Sequence, residues 1–71
     1  MFNMPIRYRI NLYERDGFFT IQRRVFLIWI TLYDDDKEIM KFKNPQEAEA
    51  YLNKEKKFGE VYIVDYRKVS Y

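Results

Sequence analysis

The chain has 71 residues, no Cys, no His, 20% aromatic residues and a formal net charge of +2. That length makes one domain. The missing residue types exclude disulfides, metal centres built on His or Cys, and any nucleophile paired with an imidazole or a thiolate. A chain this short buries only about 60% of its unfolded surface, so stability has to come from its rings, each of which removes about 150–250 Å² from water when buried.

In chain order, Pro5–Glu14 alternates with period two. Ile6, Tyr8, Ile10 and Leu12 share one face, and Arg7, Arg9, Asn11 and Tyr13 share the other. That pattern predicts a half-buried strand. Asp16-Gly17 follows as a hairpin turn, because glycine accepts the positive φ that tight turns demand.

The chain returns through Phe18–Arg23 into Val25–Tyr33 (VFLIWITLY), which has one polar side chain, Thr31. The alternation changes phase near Arg23-Arg24, which predicts a β-bulge in a long, bent strand. This strand would be the central one, with one face under a helix and the other left uncovered.

Asp34-Asp35-Asp36-Lys37 reads as a solvated turn, with a metal site on the three aspartates as the weaker alternative. Glu38–Lys43 reads as a third strand with Met40 and Phe42 inward. Asn44-Pro45-Gln46-Glu47 marks a helix start: Asn44 as N-cap, Pro45 at the first helical position, Glu47 reaching back as a capping box. Ala48, Tyr51 and Leu52 form the buried stripe of that helix, and Phe58-Gly59 closes it. Glu60–Val69 is the last strand. The expected fold is α+β, in the order β-β-β-α-β, with a mostly antiparallel four-stranded sheet and one helix on one face.

The charges are unevenly spread. Residues 1–30 carry five Arg against Glu14 and Asp16, a net of +3, and residues 31–71 carry a net of −1. Arg7, Arg9 and Tyr13, with Arg23 and Arg24 on the neighbouring strand, make the strongest candidate contact surface. Trp29 and Tyr33 extend it, although simple alternation puts Arg24 and Trp29 on opposite faces. Arg and Tyr are favoured where proteins meet. The same residues suit phosphates and stacked bases, so a nucleic-acid-binding module using the Arg-rich hairpin is the alternative.

Asp65 lies mid-strand among apolar neighbours, but no second carboxylate is placed to work with it. No catalytic residue, cofactor or metal ligand is assigned, and no small-molecule substrate is expected. The apolar run is far shorter than the roughly 20 residues a membrane helix needs, and no leader pattern precedes it. The expectation is a protein of the cytoplasm with no membrane partner.

The stretches FTIQRRVFLIWITL and NPQEAEAYL together resemble short uncharacterised accessory proteins of phages and bacterial mobile elements, over about residues 18–52. The resemblance implies a protein that acts by binding: a virion structural or decoration subunit, or an inhibitor of a host protein. It implies no catalytic residues. Independently of it, the uncovered sheet face predicts cover by another copy of the chain, as a homo-oligomer, or by another protein.

Overall fold

A computed structural model of the chain describes residues 5–69. The elements are β1 (Ile6–Tyr13), β2 (Phe18–Val25), β3 (Ile28–Thr31), α1 (Pro45–Glu55) and β4 (Tyr62–Val69). They form a small α+β fold with one four-stranded sheet in the order β3-β2-β1-β4. β1 pairs antiparallel with β2 and parallel with β4. The sheet is therefore mixed, not mostly antiparallel. The reason is topological: α1 carries the chain back along the sheet, so β4 starts beside the start of β1 and runs with it.

The apolar run is a hairpin and not a central strand. Val25 ends β2, Phe26 and Leu27 turn, and Ile28 pairs back onto Val25. A two-residue turn also explains the phase change without a bulge. Residues five apart, such as Arg24 and Trp29, face opposite ways along one strand but become cross-strand partners on one face across such a turn. The short β3 is left at the sheet edge, and β1 and β2 are the central strands.

The expected strand at Glu38–Lys43 is reduced to two isolated bridges, Phe19 with Phe42 and Tyr33 with Ile39. Phe42 still points inward, half-buried against the core. The aspartate turn is held by Asp34, whose Oδ1 accepts from the backbone N–H of Asp36 (2.9 Å) and of Glu38 (3.0 Å). That carboxylate is turned onto its own backbone.

At the helix start, Asn44 Oδ1 accepts from Glu47 N at 2.8 Å. Glu47 Oε2 reaches one residue beyond the N-cap and accepts from Lys43 N. The helix stops at Glu55. Gly59 closes no helix: it lies in the turn from Lys57 to Glu60 with φ +83°.

One hydrophobic core holds the fold, made of Tyr8, Ile10, Ile21, Ala48 and Leu52, with Ile6, Phe19, Leu32, Phe42, Tyr51, Tyr62 and Val64 around it. All the strand residues of that cluster point to the side of the sheet that α1 covers, as the alternation of β1 requires. The tilted ring pairs Tyr8–Tyr62 (5.0 Å) and Phe42–Tyr51 (5.8 Å) close the two ends of this layer.

Candidate functional site

The register fixes what lies on the helix-free face. β1 contributes Arg7, Arg9, Asn11 and Tyr13; β2 contributes Phe18, Thr20, Gln22 and Arg24; β3 contributes Trp29 and Thr31; β4 contributes Ile63, Asp65, Arg67 and Val69. Four arginines thus share a surface with one acid. At the sheet margin Lys68 forms an ion pair with Glu14 (3.5 Å).

Gln22 organises the middle of this face. Its Oε1 accepts from Arg9 Nε (2.6 Å) and from Asn11 Nδ2 (2.8 Å), and its Nε2 donates to Thr31 Oγ1 (3.1 Å). One side chain therefore ties β1, β2 and β3 together. Held this way, the Arg9 guanidinium lies 4.3 Å above the centre of the Trp29 ring, in cation–π range. Beside them, Tyr13 and Phe18 stack at 5.2 Å, and Lys41 Nζ lies 4.9 Å from the Phe18 ring.

Desolvation, and secondarily the positive charge of Arg67, push the Arg9 pKa below its ordinary value. The positive charge here is self-repelling and under-compensated.

Asn11 and Thr20 are fully buried on this face although, among the described residues, no helix or strand lies over it. Asn11 Oδ1 and Thr20 Oγ1 have no hydrogen-bond partner within the described residues. Such orphaned acceptors are rare in native proteins.

Of the sequence candidates, the structure brings Arg7, Arg9, Tyr13, Arg24 and Trp29 onto one face. Arg23 does not join them: it pairs with Tyr8 and Ile30 on the helix side. Tyr33 sits exposed in the segment after β3, bridged to Ile39. Arg67, Gln22 and Phe18 complete the face and were missed. Arg67 becomes legible only once β4 is known to run parallel to β1.

The expected uncovered greasy face is also relocated. The exposed apolar residues Phe26, Leu27, Ile28 and Ile30 lie at the β2–β3 turn and on the helix-side face of β3, beyond the reach of α1.

Elsewhere, a cleft of about 310 Å³ between α1 and β4 is lined by Glu49, Leu52, Asn53, Lys56, Tyr62 and Val64. It holds one carboxylate. Among the described residues no group of three or more Asp or Glu side chains is placed to hold a metal ion. No described helix is long and apolar enough to cross a membrane. No protein-family model, curated protein or solved structure matches the chain.

Proposed function

We propose that the chain is a non-enzymatic binding protein whose contact surface is the helix-free face of its sheet. One observation carries this reading: Arg7, Arg9, Arg24 and Arg67 share that face with Tyr13, Phe18 and Trp29 and with a single acid, Asp65. Arginine and large rings are the residues that carry most of the energy where proteins meet. The surface is also pre-organised, since Gln22 holds Arg9 over Trp29 before any partner arrives. Its partner is a protein surface rich in acidic side chains. For an accessory protein of the kind the sequence resembles, that partner is an assembly subunit or a host protein.

Single-stranded nucleic acid is the second reading. Guanidinium groups alternating with rings on an open sheet favour it.

The test is the double charge reversal Arg7→Glu with Arg67→Glu, which leaves the Gln22 network intact. Capture of partner proteins from host extract by the wild type, and loss of that capture in the variant, is the expected result. Anisotropy with labelled oligonucleotides across a salt series runs in parallel. Steep loss of binding with salt would move the reading to nucleic acid. Equal capture by the variant would remove this face from consideration.

A further inference from the structure

One end of the molecule has a composition of which the sheet-face reading uses only Arg7 and Arg24. β1 begins there with Ile6, β2 ends there at Val25, and β4 begins there with Tyr62, level with Ile6. Ile6 N donates to Val61 O at 2.9 Å, which fixes the loop after α1 at the same end. Two turns therefore project from the same end, Phe26-Leu27 beyond β2 and Phe58-Gly59 before β4, on either side of the start of β1. Phe26 is 93% exposed, Leu27 85% and Phe58 107%, with Ile28 and Val61 more than half exposed behind them.

Around these turns stand Arg7, Arg23, Arg24, Lys54, Lys56 and Lys57 against Glu55 and Glu60, a local net of +4. The opposite end carries Glu14, Asp16, Asp34, Asp35, Asp36, Glu38 and Glu47 against five Lys and Arg, a net of −2. Arg9, Glu49, Asp65 and Arg67 lie between and cancel. The fold is thus a charge dipole with apolar knobs at its positive end.

We propose that this end docks onto an anionic lipid bilayer, with Phe26, Leu27 and Phe58 entering the interfacial region and the surrounding cations meeting the headgroups. Charge complementarity selects the surface, because a negatively charged leaflet attracts clustered Lys and Arg within a Debye length and repels the aspartate end, which orients the molecule. Shape selects lipid over a protein partner. The knobs stand on separate turns and are almost wholly exposed, whereas residues that anchor protein interfaces fill matching pockets inside a dry ring. A bilayer interface takes up projecting apolar groups without a matching shape.

The backbone agrees with a use for Phe26. It holds φ +54°, a conformation that costs a bulky residue energy and that glycine would adopt freely. Membrane contact of this kind needs no spanning helix, so the absence of a long apolar run does not oppose it. The helix-free face stays open along the side of the docked molecule.

The experiment is sedimentation of the full chain with vesicles of phosphatidylcholine alone and with phosphatidylserine added to about one third, in the range of charged cytoplasmic leaflets. Wild type sediments with the anionic vesicles and not with the neutral ones, and binding weakens as salt is raised. Phe26→Gly keeps the turn, and Phe58→Ser removes the second knob from a site that packs against nothing. Each weakens binding by about tenfold, the loss expected for withdrawing one inserted ring, while the circular dichroism spectrum is unchanged. Lys43→Gln, an exposed residue at the opposite end, binds vesicles as wild type does.

Failure of the wild type to bind anionic vesicles at low salt overturns the proposal. So does undiminished binding by both knob variants. Light scattering that shows a dimer abolished by Phe26→Gly overturns it in favour of a second copy of the chain.

Discussion

The molecule contains two hairpins that share a strand, and they are built in opposite ways. The first, β1–β2, turns through Glu14–Gly17 and places φ +73° on glycine. Its strands bury Ile10 and Ile21 completely under α1. The second, β2–β3, turns through Phe26-Leu27 and places φ +54° on a phenylalanine. Its return strand is four residues long, lies at the sheet edge and leaves Ile28 and Ile30 exposed. The first hairpin is what a sequence under pressure to fold looks like: turn chemistry, alternation and burial agree. In the second, local preference and observed structure conflict, and such conflicts gather where a protein does something besides fold.

The sharpest way to break the comparison is to truncate one aliphatic residue in each hairpin. Ile21→Ala should cost about 2–5 kcal/mol, because Ile21 is fully enclosed and a cavity would remain. Ile30→Ala should cost less than about 0.5 kcal/mol, as an exposed substitution. Urea denaturation of the two variants reads the difference directly.

The turns should respond with opposite signs. Gly17→Ala should destabilise by about 1 kcal/mol from the backbone alone, since a Cβ there would meet nothing within 4 Å. Phe26→Gly should stabilise by about the same amount by relieving the positive φ. If Phe26→Gly instead lowers the thermal midpoint, the ring contributes to the fold and the hairpins are less different than their burial implies.

Two threonines on the helix-free face extend the contrast at smaller scale. Thr20, in the first hairpin, has a buried hydroxyl without a partner among the described residues, so Thr20→Val should stabilise by up to about 1 kcal/mol. Thr31, in the second, accepts from Gln22, so Thr31→Val should destabilise by about 0.5–1 kcal/mol. Thermal melts of both variants test the pair.

The smallest expected effect is alkaline. Desolvation, a hydrogen bond with Tyr8 and nearby negative charge push the Tyr62 pKa up to about 12. A group whose folded pKa is raised contributes stability that is full below its unfolded value near 10 and is lost as pH rises through 12. Unfolding titrations between pH 9 and 12 should therefore show falling stability, blunted in Tyr62→Phe. The first hairpin should feel this through Tyr8, whose ring packs against that of Tyr62.

Legibility followed the same division. The first strand, the Asp-Gly turn, the Asn44 cap and the Ala48–Leu52 stripe were readable because each depends on contacts within a few residues. The second hairpin was unreadable because its turn lacks glycine, asparagine and proline. A nine-residue run with a single polar side chain carries no mark of where a chain reverses. The candidate surface was readable in Arg7, Arg9 and Tyr13, which share a strand, and in Arg24 and Trp29 by composition only. Arg23 was misplaced because the phase shift was read as a bulge. Arg67 was missed because nothing local tells a final strand which neighbour it will join.

By itself the amino-acid sequence determined that this chain has an α+β fold, that a helix follows the N-terminal strands, and which side of the first strand faces the core. Those properties are set by short-range periodicity, capping and turn chemistry. Tertiary structure alone decided that β4 runs parallel beside β1, that VFLIWITLY folds back on itself at an edge, and that four distant arginines meet on one face. Those outcomes depend on pairing between residues far apart in the chain, and strand pairing is chosen by the energy of the whole sheet.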